Sequence, residues 1–128
     1  MRTITFENEQ TYSGNKAVIA VHLVDALLSP TVEMVLDSGA EISLLNRQFI
    51  EPLELSVKNG QPIELMVANG DVAPAWIHAV EIDFLGRRLT IQAAICPDWD
   101  TANLLGMRGF FDQMVVAFDH AQGKLYLR

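Results

Sequence analysis

One stretch of the sequence has residue types suited to acid–base chemistry in a setting that would hold them in place: Val35-Leu36-Asp37-Ser38-Gly39-Ala40. The apolar run before Asp37 predicts a buried strand, so the carboxylate emerges at a strand end where the chain turns at once. An acid held this way keeps a single geometry, as general acid–base catalysis requires. Gly39 permits a sharp turn and lets a substrate or partner backbone approach without a Cβ in the way. Ser38 offers a hydroxyl that can brace a neighbouring loop, and Ala40 keeps the next position small. The same triplet can also make an ordinary surface turn, with Asp and Ser capping backbone groups and glycine at positive φ. The apolar lead-in argues against that simpler use, because a surface turn does not need it.

Other chemistries lack their residues. His22, His78 and His120 are far apart, with no His-Glu-x-x-His pair to grip zinc, so no metal site is expected. There is no glycine-rich phosphate loop and no Gly-x-Ser-x-Gly elbow. Cys96 is the sole cysteine, which excludes an internal disulfide, fits a reducing compartment and reads as a small buried hydrophobe. The formal net charge is −7 and the nine Lys and Arg residues are scattered. Neither nucleic acid nor an anionic membrane is therefore an expected partner. Residues 1–7 lack the apolar centre of a signal peptide, and no apolar run approaches the roughly 20 residues of a membrane span. The expected location is cytoplasmic.

The elements that must position Asp37 are short β-prone runs separated by turn signals. Residues 16–28 form an apolar stretch broken by Ser29-Pro30, and residues 31–36 form the run that ends at Asp37. Residues 42–53 suggest a strand fragment and a short helix before Pro52. Asn59-Gly60 marks a turn. Asn69-Gly70, between strand-like arms at 63–68 and 72–82, predicts a hairpin. Leu85-Gly86-Arg87 predicts a second one. Residues 97–100 read as a loop and 107–113 as a brief helix. Strands follow at 114–118 and 124–127, around a turn at 120–123. With 128 residues and half of them hydrophobic, the chain reads as a single mainly β domain over residues 1–128, a small closed or folded-over barrel with one or two short helices. Trp76 and Trp99 read first as packing aromatics, with Trp76 a secondary candidate to line the hairpin.

Taken together, these motifs resemble those of the retropepsin-type aspartic proteases, the single-lobe class that includes retroviral proteases and their bacterial relatives. Val35 to Ala40 matches the family's apolar-apolar-Asp-Ser/Thr-Gly-Ala signature. Leu104-Leu105-Gly106, with Met107 to Phe111 after it, matches the second signature, an apolar pair and glycine before a short helix. The Asn69-Gly70 hairpin falls between them, where the family carries its flap, and the likeness runs from about residue 16 to the C-terminus. There are departures. Glu41 stands four positions after Asp37, where viral members have Asp, and Met107 intervenes before Arg108, where an Arg often follows the glycine directly. The hairpin also lacks the flap's usual run of glycines.

The resemblance implies an endopeptidase with Asp37 as the catalytic residue. Ser38, Gly39, Ala40 and Glu41 would form the active-site loop that meets substrate, and Asn69 and Gly70 the flap tip. Leu104, Leu105 and Gly106 would support them. An aspartic protease needs two carboxylates sharing a water, and this chain has one Asp-Ser-Gly. The resemblance therefore implies a symmetric homodimer acting on an extended peptide or protein, without metal or organic cofactor. Two alternatives remain open at this level. One keeps the fold and the dimer but only captures peptides; the other is an unrelated barrel whose Asp37 sits in an ordinary turn.

Overall fold

Strict alternation of apolar and polar side chains builds the strand pair that carries Asp37. In β2 (Val18–Leu23), Ile19, Val21 and Leu23 are buried while Ala20 and His22 face out. In β3 (Thr31–Leu36), Val32, Met34 and Leu36 are buried while Thr31 and Glu33 face out. A repeat of two places each set on one face of a pleated sheet. The strands pair antiparallel from Val18 opposite Val35 to His22 opposite Thr31. This is a computed structural model, and it describes residues 3–14, 16–67 and 69–128.

The remaining strands are β1 (Asn8–Thr11), β4 (Ser43–Leu44), β5 (Gln61–Met66), β6 (Val72–Phe84), β7 (Arg87–Ile95), β8 (Leu104–Leu105), β9 (Val116–Asp119) and β10 (Lys124–Leu127). Strands β2, β3, β8, β4, β7 and β6 lie side by side in that order. β6 then pairs back onto β2 through His22–Asp83 and Leu23–Ile82, which closes the sheet into a six-stranded barrel. The mainly β, closed-barrel architecture expected from the sequence is the one observed. β5 continues outward from β6 as one arm of a hairpin, and β1, β10 and β9 form a separate three-stranded sheet.

Phe110, Ile19, Met34, Ile82, Ile91 and Leu105 are among the side chains that fill the barrel. A second, smaller cluster of Val67, Ala73, Ala75 and Cys96 packs under the β5–β6 hairpin. Cys96 is fully buried there, as a small apolar filler.

Several boundaries differ from the sequence expectations. The 16–28 run yields a shorter strand, because the chain leaves the sheet after Leu23. Asp25, Leu28 and Ser29 in the connection have φ values of 58°, 64° and 40°. Such left-handed conformations cost a non-glycine residue about 1 kcal/mol or more each. Leu85 and Gly86 alone form the β6–β7 turn, and Arg87 already pairs with Phe84. Ala68, expected to end the first hairpin arm, lies outside the described residues.

Helical structure is slight. Arg47–Phe49 and Val57–Asn59 are single 3-10 turns, so Asn59-Gly60 ends a helical turn rather than making a free-standing one. The helix expected over 107–113 is a distorted turn over Met107–Phe111. Gly109 interrupts it at φ 93°, where a Cβ would lie 2.1 Å from the Thr90 carbonyl oxygen. The polar β1 was not foreseen, and neither was β8 as a strand.

Candidate active site

Asp37 is the first residue beyond β3, and its own side chain shapes the turn that follows. Its Oδ1 accepts the Gly39 N–H at 3.1 Å. Its carbonyl oxygen accepts the Ala40 N–H at 3.1 Å, and its N–H donates to the Leu105 carbonyl at 2.9 Å. A short side chain that bonds backbone two residues on is the usual way Asp nucleates a turn. Asp37 as a residue is half-buried, while Ser38 and Gly39 are exposed. Gly39 does not take a positive φ, and a Cβ there would meet Asp37 Oδ1 at an ordinary 3.4 Å. The turn therefore does not need glycine at this position. What glycine provides is bare, exposed backbone beside the carboxylate.

The second motif is threaded between the two strands that flank this turn. Leu104 and Leu105 pair parallel with Val35 and Leu36 on one side, and Leu104 pairs antiparallel with Leu44 on the other. Beyond β8 the chain binds the Asp37 loop directly. Met107 N–H donates to the Ala40 carbonyl at 2.8 Å and Arg108 N–H to the Glu41 carbonyl at 3.0 Å. Gly106 is where the two segments come closest. A Cβ at Gly106 would lie 2.5 Å from the Ile42 oxygen and 2.7 Å from the Ala40 oxygen.

Ser43 completes the junction and was not singled out by the sequence. It is fully buried, and its Oγ accepts the Gly106 N–H at 3.0 Å. The available signal was a lone hydroxyl inside the apolar run Ile42-Ser43-Leu44-Leu45. Ser43→Ala leaves that N–H buried and unpaired, so it should lower stability by about 1–3 kcal/mol, read as a fall in the urea midpoint.

The two departures from the retropepsin pattern meet one another. Arg108 donates to Glu41 Oε1 at 2.6 Å, with both side chains more than half exposed. Glu is longer than Asp by one methylene, and Arg stands one residue later than is usual; the longer acid reaches the displaced base. Exposed pairs of this kind contribute below about 1 kcal/mol. A double-mutant cycle with Glu41→Gln and Arg108→Gln should show a coupling in that range that shrinks in high salt.

The β5–β6 hairpin rises beside this junction. Its tip is tied by Val67 N–H to the Asp71 carbonyl and Gly70 N–H to the Val67 carbonyl, each at 2.9 Å. Asn69 adds a clamp: its Oδ1 accepts the Asp71 N–H at 2.9 Å and its Nδ2 donates to Asp71 Oδ2 at 3.0 Å. Met66 and Val72, paired just below the tip, are exposed.

Between hairpin and Asp37 loop lies an apolar cavity of about 180 Å³, walled by Ala40, Ile42, Leu44, Leu65, Ala94 and Leu104. A neighbouring cavity of about 220 Å³ shares Leu44 and Leu65 and extends past Met66 to Trp99. Together they make a largely apolar depression, with Asp100 and Thr101 at its Trp99 end. Trp99 is thus the tryptophan on the depression, while Trp76 is half-buried in β6, opposite Ile95 and Pro62.

The histidines sit apart from this site. His22 pairs with Thr31 Oγ1, His78 with the Val57 carbonyl and His120 with the Tyr12 hydroxyl. Among the described residues, no three His, Cys, Asp or Glu side chains converge as a metal site would require, and no helix is long and apolar enough to cross a membrane.

Residues 29–111 match the protein family described as gag-polyprotein putative aspartyl protease. The chain is similar to a solved retropepsin-like aspartic protease from Rickettsia conorii, with 17% identity and a TM-score of 0.64 over 99% of this chain and 96% of that one. It is also similar to the EIAV protease solved with the inhibitor HBY-793, with 18% identity and a TM-score of 0.55 over 76% of this chain and 88% of that one. At these identities the likeness establishes a shared fold. No curated protein matches the sequence.

Proposed function

The chain belongs to the gag-polyprotein aspartyl protease family, and from that membership we propose that it is an aspartic endopeptidase working as a homodimer. The observation that carries this reading is the position of Asp37. It is a half-buried residue at a strand end, on a loop locked by the second motif, next to an apolar cavity under a hairpin. A single Asp-Ser-Gly then calls for two chains related by a two-fold axis, each contributing one Asp37.

Two carboxylates about 3 Å apart cannot both ionise cheaply, so the pair shares one proton. This is the general pattern of aspartic proteases as a class, carried over here to Asp37. The ionised Asp37 accepts a proton from water as the water attacks the scissile carbonyl carbon. The protonated Asp37 of the other chain donates to the carbonyl oxygen, which becomes the hydroxyl of a tetrahedral intermediate. Collapse of that intermediate expels the amine, and no metal or organic cofactor is required.

The exposed backbone at Gly39 is assigned to pair with an extended substrate, flanked by Ala40 and Glu41, with Ser38 bracing the opposite loop. Asn69 and Gly70 are assigned to the tip of a flap that closes over the peptide and excludes water. Leu104, Leu105 and Gly106 hold the Asp37 loop in register. The lone buried Cys96 supports a reducing, cytoplasmic setting.

The test is cleavage of a mixed pool of unstructured peptides between about pH 3 and about pH 8, with a pepstatin-type transition-state mimic as inhibitor. Cleavage that the mimic suppresses supports the assignment. A folded chain that binds peptides in the pool but cuts none at any pH would turn it toward peptide capture.

A further inference from the structure

The depression beside the Asp37 loop changes character along its length. Near that loop its walls include Ala40, Ile42 and Leu104. Past Leu44 and Leu65, which the two cavities share, it runs by Val67 of the hairpin and by Trp99 to a carboxylate, that of Asp100. Among the described residues, Asp100 is the one charged side chain on the wall of this outer cavity.

We propose that the outer cavity binds a lysine or arginine side chain of the substrate, with Asp100 as the residue that selects it. The inference rests on the endopeptidase reading above and names a substrate class for it, a peptide with a basic residue two positions from an apolar one.

Side chains two positions apart in an extended peptide leave the same face, about 7 Å from one another. The two cavities adjoin along one wall, so such a pair enters them together. The inner cavity, of about 180 Å³, suits a compact apolar group, and the outer one, of about 220 Å³, has more room. Lysine and arginine have an apolar stem and a charged head, and they bury the first while keeping the second near water. Leu44, Leu65 and Val67 line the path of the stem. Trp99 adds the aromatic ring that cations favour most, and Asp100 supplies the opposite charge. A leucine in the same place would leave that carboxylate against an apolar group.

Asp100 has capacity for a second partner. Arg47 Nε donates to its Oδ1 at 2.8 Å, and its Oδ2 forms no hydrogen bond among the described residues. Arg47 Nη1 also donates to the Pro97 carbonyl at 3.3 Å, which ties the guanidinium to the loop. An ionised carboxylate accepts up to about four hydrogen bonds, so a substrate cation adds at Oδ2 without displacing Arg47. The setting is acidic as well. Asp98 is exposed beside Trp99, and Asp71 is exposed at the hairpin tip, where its carbonyl accepts the Val67 N–H. Residues 97–101 and 66–72 together carry three carboxylates and no cation, a charge that draws in a basic peptide.

The experiment is a position-by-position profile of the bonds that wild type cuts in the mixed peptide pool. Lysine and arginine should be enriched about fivefold at one position relative to the scissile bond, the worth of one ion pair near the surface. That enrichment should shrink as salt rises. Asp100→Asn should abolish it, and Asp100→Lys should replace it with enrichment of Asp and Glu at the same position. Arg47→Gln breaks the same ion pair but leaves Asp100 charged, so it should keep or raise the basic preference. If Arg47→Gln and Asp100→Asn change the profile alike, Asp100 serves only to hold Arg47 and the inference is overturned. A wild-type profile without basic enrichment, or an enrichment that survives Asp100→Asn, overturns it too and leaves the endopeptidase reading standing. Should wild type cut nothing, the pool peptides retained on the immobilised chain decide. Basic enrichment lost in Asp100→Asn keeps Asp100 as the selecting residue of a peptide binder. Retention without that enrichment, or no retention, removes this inference along with the endopeptidase reading.

Discussion

On the homodimeric endopeptidase reading, Asp37→Asn should leave the chain folded and dimeric and lower kcat/KM for peptide cleavage by about a thousandfold or more, toward the upper end of what one acid–base group contributes. The fold survives because the asparagine Oδ1 can still accept the Gly39 N–H that shapes the turn. The change removes the charge that draws a proton from water. It also removes the acid that must protonate the carbonyl oxygen, so neither half of the pair can act. Circular dichroism and the urea midpoint should stay near wild type, while the peptide pool remains uncut. Mixing is equally informative. If one part wild type exchanges freely with nine parts Asp37→Asn, each wild-type chain meets a dead partner about nine times in ten, and activity per wild-type chain falls to about one-tenth. A chain that acted alone would keep its full activity in the mixture.

Gly106→Ala is the second large effect, and it should damage stability and activity together. The added Cβ would lie within 2.5–2.7 Å of the Ile42 and Ala40 carbonyl oxygens. Those are backbone atoms of the Asp37 loop and cannot swing aside as a flexible side chain could. Overpacking of this kind costs about 1–3 kcal/mol when the structure yields. If the loop yields, the Met107–Ala40 and Arg108–Glu41 backbone bonds stretch and the carboxylate moves with them. Displacement of a reacting group by about 1 Å can cost a hundredfold in rate. The expected result is a lowered urea midpoint and, in the fraction that remains folded, kcat reduced by about that factor with KM little changed. A variant with the stability loss but wild-type kcat would show that the junction is structural and does not position Asp37.

Much of the barrel was legible because its strands are β-prone runs cut off by turn formers. Thr31–Leu36 was read with the boundaries the structure shows, since Ser29-Pro30 and Asp37-Ser38-Gly39 bracket the run. The loop at Asp37 was legible for a related reason, an abrupt change from apolar run to turn formers. Four features could not be read this way. β8 is two residues long, too short to display any period, and exists because β3 and β4 hold it from both sides. β1 is Asn-Glu-Gln-Thr, which has no apolar face of its own and owes its form to pairing with β10. The Glu41–Arg108 bridge was hidden because each residue taken singly departs from the pattern, and only folding shows that the two departures cancel. Ser43 belongs with these, a polar residue whose purpose depends on where Gly106 comes to rest.

The placement of β8 also governs when the Asp37 loop can take its folded form. Leu36 pairs with Leu105, a partner made much later in synthesis. Contacts so distant along the chain close late, because their loop entropy must be overcome before they stabilise anything. While the chain is still emerging from the ribosome, β2 and β3 can form a hairpin, but Asp37 lacks the carbonyl of Leu105 and the loop lacks Met107 and Arg108. A nascent chain, or one cut short before residue 108, carries the acid without the frame that aims it. The frame around Asp37 thus arises only once the chain has been made past residue 108, and shorter copies hold the acid unaimed.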